Sequence, residues 1–291
     1  MDLNNQRESE NVEDRRGGGG GRRTMALSGG IGAVVVALIA GALGINPQLL
    51  QGLLNLAGGG GGGQVAPQGK GVQDGYKEFS AKLLGSTEDV WTKLFRDNGL
   101  GNYKNPGMVL FSGEVDSEGC GVAPSAVGPF YCPASKKVFL DPTFFEELEG
   151  KLGGSKAEFS QAYVIAHEVG HHVQNLLRYN SKVEDFKRRE GENSGIRLEL
   201  QADYLAGVWA HHAADKIKLS EGDIREAMKT ARSIGDNRIQ EKMGGRAWPE
   251  KFNHGTDAQR MKYFMDGYKT GDAREAKLQR FFNPNVKPLE L

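Results

Sequence analysis

The chain has 291 residues, and its 37 lysines and arginines balance 37 aspartates and glutamates, so the formal net charge is zero. No segment forms the basic face that a nucleic acid requires, which argues against a nucleic-acid-binding protein. The length allows more than one domain, but the charges and the 42 glycines are spread unevenly along the chain. The composition therefore predicts a folded part that is preceded by segments with a different content of charged residues and glycine.

The first 72 residues differ in composition from the rest of the chain. Residues 1–23 are polar, charged and rich in glycine, which predicts a disordered tail. No charged residue occurs from Thr24 to Gly69, and the apolar stretch from Met25 to Ile45 is long enough to cross a bilayer core of about 30 Å. We therefore predict a disordered cytoplasmic tail (1–23), a transmembrane signal anchor (24–46), a glycine-rich linker (47–72) and a folded domain (73–291).

The charges beside the apolar stretch predict its orientation in a membrane. Four arginines lie just ahead of the stretch: Arg15, Arg16, Arg22 and Arg23. No Lys or Arg follows it before Lys70, so the positive-inside rule places the N-terminus in the cytoplasm and the folded domain on the other side. A buried core helix is the weaker alternative, because a helix without charges would have no polar face. A cleaved signal peptide is a further alternative, since Ala40-Gly41-Ala42 has the form of a processing site.

Residues 73–291 predict an α+β domain that is mainly helical and contains a small sheet. Apolar residues at helical spacing from Asp74 to Leu100 indicate two helices that meet near Gly85. Two short apolar runs rich in β-formers, Met108 to Phe111 and Val138 to Leu140, indicate strands. An exposed strand edge can hold an extended peptide by backbone hydrogen bonds. The alternative is a sheet that only covers the helices.

Two cysteines, Cys120 and Cys132, lie in a loop-like stretch between the predicted strands. In an oxidising compartment, two cysteines in a stretch rich in glycine and proline favour a disulfide. The alternative is a pair of unrelated thiols. A zinc site that used both thiolates would need further ligands at matching spacing, and none occur nearby.

The sequence His167-Glu168-Val169-Gly170-His171 lies within a helical pattern of apolar residues. Residues four apart share a face of a helix, so His167 and His171 can bind one Zn²⁺ per chain. Glu168 lies about 100° further round the helix. It can therefore reach a water molecule beside the metal without being a ligand.

A third ligand is expected from the next apolar helix, on which Glu199 and Asp203 lie four residues apart. Burial of two carboxylates is costly unless they are paired or bind a metal. The alternative is a solvated acidic stripe, in which case His211 is the next candidate for the third ligand. The metzincin offsets are occupied by Gln174 and Leu177, which excludes that class.

His254 lies just before a predicted helix that Thr256 and Gln259 begin as a capping box. A histidine at such a position can donate a hydrogen bond to the oxyanion that forms during peptide hydrolysis. The pattern alone leaves open a loop histidine without a role.

Four stretches together resemble the bacterial family of neutral zinc metallopeptidases with one N-terminal membrane segment. They are His-Glu-x-Gly-His-His-x-Gln-Asn at 167–175, Glu-Leu-Gln-Ala-Asp at 199–203, Gly-Pro-Phe-Tyr-Cys-Pro at 128–133 and His-Gly-Thr-x-Ala-Gln-Arg at 254–260. The Glu-x-x-x-Asp element is also similar to that of membrane-bound gluzincins.

The resemblance implies a zincin-like domain on the periplasmic side of a bacterial inner membrane. It implies that Glu199 is the third zinc ligand and that Asp203 orients a zinc histidine. It also implies that His254 donates to the oxyanion, with Arg260 shortly after it. We therefore expect a membrane-anchored zinc endopeptidase acting on peptides or proteins. The alternative is a membrane-tethered binding or scaffold protein whose zinc has only a structural role.

Overall fold

The computed structural model describes residues 1–17, 74–242 and 247–291. The strands are β1 (Val12–Asp14), β2 (Gly107–Leu110), β3 (Glu114–Asp116), β4 (Val122–Pro124), β5 (Phe130–Cys132) and β6 (Lys137–Leu140). The α-helices are α1 (Tyr76–Asp97), α2 (Phe144–Glu147), α3 (Glu158–Leu176), α4 (Tyr179–Glu190), α5 (Gly195–Ala213), α6 (Glu221–Ser233), α7 (Asp236–Lys242), α8 (Asp257–Thr270) and α9 (Glu275–Gln279). This is the mainly helical α+β fold with a small sheet that the sequence predicts.

The main sheet has the strand order β1-β2-β6-β5, and β3 pairs with β4 in a separate hairpin. β1, β2 and β6 run parallel, whereas β5 runs antiparallel to β6 at one edge. The two faces of the sheet are buried in different clusters, because alternate residues of a strand point to opposite sides. Met108 and Leu110 contact the helical core, while Val109 packs with Cys132 and Phe139 on the other face.

The predicted strands Met108 to Phe111 and Val138 to Leu140 correspond to β2 and β6. The predicted break near Gly85 is wrong, because α1 continues through this residue as one helix. A Cβ atom on Gly85 would lie 2.4 Å from the carbonyl oxygen of Arg7. The glycine therefore allows another part of the backbone to approach, and it does not end the helix.

The prediction of a disordered tail is wrong for residues 1–17, which form β1 and pack on α1. Composition could not reveal this order, because the polar residues of the segment find their partners only in the folded domain. The remaining predicted segments, 24–46 and 47–72, lie outside the described residues, as do residues 18–23. Among the residues that the structure describes, no helix has both the length and the apolar character needed to cross a membrane.

Helices α5 and α8 approach each other closely enough for their backbones to touch. A Cβ atom on Gly207 of α5 would lie 2.1 Å from the carbonyl oxygen of Phe264. A Cβ atom on Gly267 of α8 would lie 2.0 Å from the carbonyl oxygen of Tyr204. Each helix thus places a glycine against the backbone of the other, and a larger residue at either position would force the two helices apart.

We expect the substitution Gly267→Ala to destabilise the fold by about 1–3 kcal/mol, because the added methyl group overpacks the α5–α8 contact. Urea denaturation provides the measurement. Gly222→Ala in α6 is the control, since its Cβ atom would meet nothing closer than 3.5 Å. The control should be neutral or stabilising by up to about 1 kcal/mol, because alanine favours the helix. Equal stability of Gly267→Ala and the unmodified chain would contradict the close packing.

Candidate metal centre

The two histidines of the sequence motif face each other on α3, with ring centroids 4.7 Å apart. The Nδ1 atom of each ring is hydrogen-bonded to a side-chain oxygen of a different residue. The Nδ1 atom of His167 lies 2.9 Å from Oδ1 of Asp203, and that of His171 lies 2.8 Å from Oε1 of Gln174. These oxygens accept from the Nδ1–H groups, so the Nε2 atoms keep the lone pairs that bind a metal.

Both Nε2 atoms lie beside the carboxylate of Glu199, which α5 contributes. Oε2 of Glu199 is 3.3 Å from Nε2 of His167, and Oε1 is 3.4 Å from Nε2 of His171. Metal bonds of about 2.1 Å in a tetrahedral zinc site separate neighbouring ligand atoms by about 3.4 Å. The three side chains therefore fit one zinc ion.

Glu168 also belongs to this cluster. Its carboxylate and the ring nitrogens of His167 and His171 lie within 4.8 Å of one another. The oxygens of Glu199 lie closer to both Nε2 atoms, so Glu199 is the better candidate ligand and Glu168 lies beside the candidate metal position. Glu168 is only 7% exposed. Burial raises the pKa of its carboxyl above the usual range.

Asp203 of α5 is fully buried, and its hydrogen bonds connect α5 to α3 and to α8. Besides His167, its carboxylate accepts hydrogen bonds from the Tyr163 hydroxyl at 2.6 Å and from Nε and Nη2 of Arg260 at 2.8 and 3.1 Å. Burial alone would raise the pKa of Asp203, but the charge of Arg260 and the hydrogen bonds from His167 and Arg260 lower it below the usual range. Asp203 is therefore ionised, and it fixes the ring of His167.

His254 lies at the N-terminal side of α8, which begins with the predicted capping box of Thr256 and Gln259. The carboxylate of Asp236 holds the ring, with Oδ1 3.0 Å from Nδ1 of His254. Its other oxygen accepts from the backbone N–H groups of residues 253–255. Burial would lower the pKa of His254, but Asp236 and Glu199 outweigh it and raise the pKa. The side chain is 38% exposed.

A cavity of about 540 Å³ connects these groups, and His167, Glu168, His171, Glu199, His254 and Arg260 all line it. The rest of its wall is mostly apolar, with contributions from Phe144, Leu148, Leu152, Val164, Ile234 and Ile239. The structure thus brings together every predicted ligand and catalytic candidate. His211, the alternative third ligand, is not among the lining residues, and its Nδ1 atom lies 2.8 Å from the backbone oxygen of Tyr268.

The edge strand β5 lies along the same cavity through Phe130 and Tyr131. Its last residue, Cys132, forms a disulfide with Cys120, as the sequence predicts. The hydroxyl of Tyr131 lies 2.9 Å from Nδ1 of His172, whose Nε2 atom lies 2.6 Å from the carbonyl oxygen of Lys104. A neutral His172 satisfies both contacts, since Nε2–H donates to the carbonyl and Nδ1 accepts from the hydroxyl.

Sequence reasoning missed several residues that hold the site. Gln174 lies three residues after His171, a spacing that places two side chains together on a helix, so this contact could have been predicted. Tyr163 precedes His167 by four residues, so the sequence could likewise have placed these two side chains on one face of the helix. Asp236 is distant from His254 in the chain, and no spacing rule could have identified it.

The geometry first defines a class of site: two histidines of one helix and a glutamate of a second helix, with a buried glutamate beside them. This donor set is typical of zinc centres with two histidines and one glutamate. Asp203 supplies the hydrogen bond that ordinarily orients a histidine ligand.

Comparison with known proteins identifies the family. The model of the family described as "Putative neutral zinc metallopeptidase" matches residues 1–278, so the chain belongs to this family. The chain is 38% identical over 283 residues to Uncharacterized protein YpfJ of Escherichia coli (strain K12), which covers 91% of this chain and 94% of the relative. It is 44% identical over 197 residues to Uncharacterized protein Rv2575 of Mycobacterium tuberculosis (strain ATCC 25618 / H37Rv), covering 64% of this chain and 65% of the relative. No solved structure matches the chain.

The buried His172 should make stability depend on pH. Burial lowers the pKa of His172 to about 4, whereas histidine in an unfolded chain titrates near about 6.5. The unfolded state therefore binds the extra proton first, so the contribution of His172 is complete above about pH 6.5 and is lost as the pH falls toward 4. The loss should amount to roughly 3 kcal/mol at most. Urea denaturation of the unmodified chain and of His172→Gln across this range measures it, and parallel pH profiles of the two would contradict the assignment.

We expect Asp203→Asn to weaken zinc binding by about 10–100-fold, because the amide no longer fixes the His167 ring as a carboxylate does. Competition with a zinc chelator provides the measurement. Asp185→Asn, the same chemical change on the exposed face of α4, is the control and should leave the affinity unchanged. Equal affinities of the two variants would show that Asp203 does not orient the ligand.

Proposed function

We propose that the chain is a zinc-dependent endopeptidase of the gluzincin type, with a zincin-like domain. The observation that supports the proposal most is the position of the three candidate ligands on the wall of an open cavity. A structural zinc site is normally closed by four protein ligands, whereas a catalytic site uses three and keeps one position for water or substrate. In the described part of the chain, His167, His171 and Glu199 supply three.

Zinc held by these residues would supply a Lewis acid that acidifies water and polarises a carbonyl group. Glu168 accepts the proton of the attacking water and then delivers it to the leaving nitrogen of the peptide. Its buried position suits this role, because a carboxyl with a raised pKa binds a proton more readily near neutral pH.

His254 donates a hydrogen bond to the oxyanion that develops on the carbonyl. Its Nδ1–H group is engaged by Asp236, so the donor must be Nε2. Nε2 bears a proton at the same time as Nδ1 only in the charged imidazolium. The raised pKa of His254 favours that form. Arg260 acts through Asp203, whose carboxylate it holds in place beside His167.

The substrate is a peptide or protein chain in extended form. β5 lies at the edge of the main sheet and lines the cavity, and no described strand covers its outer side, which can therefore pair with an extended peptide. The apolar wall formed by Phe144, Leu148 and Val164 suits a large apolar side chain next to the cleaved bond.

We expect Glu168→Gln to keep one zinc per chain and to lower hydrolysis by about 10²–10⁴-fold, because the amide cannot accept a proton. The full-length protein is incubated with a diverse peptide library, with and without a chelator, and zinc is measured by atomic absorption. Glu184→Gln on the exposed face of α4 is the matched control and should cleave like the unmodified chain.

Hydrolysis that survives in Glu168→Gln would contradict the role of this residue as the base. The absence of hydrolysis in the zinc-loaded unmodified chain would instead favour the alternative, a binding or scaffold protein with a structural zinc ion.

A further inference from the structure

The N-terminal arm, defined as residues 1–17, supplies partners to a carboxylate that is buried in the domain. Glu88 of α1 is 1% exposed. Its oxygens accept hydrogen bonds from Nη2 of Arg7, Oγ of Ser9 and Nδ2 of Asn11, each at 2.7 Å. All three donors belong to the arm. The arm therefore both covers Glu88 and supplies its partners, and a buried carboxylate is tolerated only when it is paired in this way.

The backbone of the arm also fits the domain. The carbonyl oxygen of Arg7 lies against Gly85, where no side chain would fit, and the N–H group of Ser9 donates to the carbonyl oxygen of Ala81 at 2.9 Å. Strand β1 then pairs with β2, with Val12 opposite Met108. The arm is therefore an integral part of the sheet, and the family model likewise matches from residue 1.

Described residues on either side of the segment 18–73 are in direct contact with each other. Arg16, whose side chain is 6% exposed, pairs with Asp14 and with Asp74, both at 2.7 Å. Its guanidinium group also lies over the ring of Tyr76, 5.6 Å from the centroid. Residues 16 and 74 thus share an ion pair, although 57 residues separate them in the sequence.

This contact is incompatible with a single crossing of a membrane between the two residues. A chain that crosses once has its flanks on opposite sides of a hydrocarbon core of about 30 Å, far beyond the reach of an ion pair. The positive-inside rule relied on four arginines ahead of the apolar stretch. Two of them form ion pairs within the folded unit. Arg16 pairs with Asp14 and Asp74, and Arg15 pairs with Glu13 and Glu118.

We propose that the N-terminal arm and the domain that begins at residue 74 fold together in one compartment, on the same side of any membrane. This replaces the orientation with a cytoplasmic N-terminus and a domain on the other side. The Cys120–Cys132 disulfide indicates that the shared side is an oxidising one. The proposal does not depend on whether the zinc centre hydrolyses peptides.

Zero-length cross-linking of the unmodified full-length chain in cell membranes tests whether the arm is docked. A carbodiimide should join Asp2 to Lys218, whose charged atoms are 2.8 Å apart, and mass spectrometry identifies the linked peptides. The pair Lys156 and Glu146, 3.2 Å apart within the domain, is the control for reactivity. If the link between Lys156 and Glu146 forms but the link between Asp2 and Lys218 does not, the proposal is overturned.

Cysteine labelling then tests the side of the membrane. Glu10→Cys in the arm and Glu184→Cys in the domain both place a thiol at an exposed position. Both variants should react with a membrane-impermeant maleimide to the same extent in intact spheroplasts, because the shared side is the oxidising one; labelling of both only after permeabilisation would overturn the assignment to that side. Labelling of one variant in intact spheroplasts and of the other only after permeabilisation would overturn the proposal, and it would leave the proposed peptidase activity untouched.

Discussion

The buried carboxylate of Asp203 is the interaction on which the site depends. It lies on α5 and binds His167 and Tyr163 of α3 and Arg260 of α8. A buried charge is tolerated only when it is paired and its hydrogen-bonding capacity is filled, and Asp203 meets both conditions. Because its partners come from two other helices, this carboxylate fixes the relative positions of three helices and the orientation of one candidate metal ligand.

The packing of the helices makes that network geometrically possible. Gly207 and Gly267 allow α5 and α8 to touch along their backbones, which places Arg260 within reach of Asp203. Glu199, one helical turn before Asp203, then faces the two histidines across the gap between α3 and α5. A single helix, α5, therefore positions both Glu199, which fits as a metal ligand, and Asp203, which orients His167.

The second half of the site comes from segments that pack around these helices. Asp236 holds His254, and the hydrogen bond between Tyr131 and His172 holds the edge strand β5 against α3. At the far edge of the same sheet, the N-terminal arm completes the strand order through β1. The sheet thus links the beginning of the chain to the wall of the cavity, which explains why residues so distant in sequence belong to one folded unit.

The sequence alone determined the features that depend on local spacing. These are the pair of histidines on one helix face, the capping box at Thr256 and the strands of apolar residues, because helix periodicity and β-propensity act over a few residues. Only the tertiary structure decided that Glu199 faces the histidines instead of solvent, that Asp236 holds His254, that Gly85 admits the backbone of Arg7, and that the polar residues of the arm are ordered. Each of these depends on which distant segment lies opposite a side chain, and burial and charge pairing at such contacts are set by the packing of the whole domain.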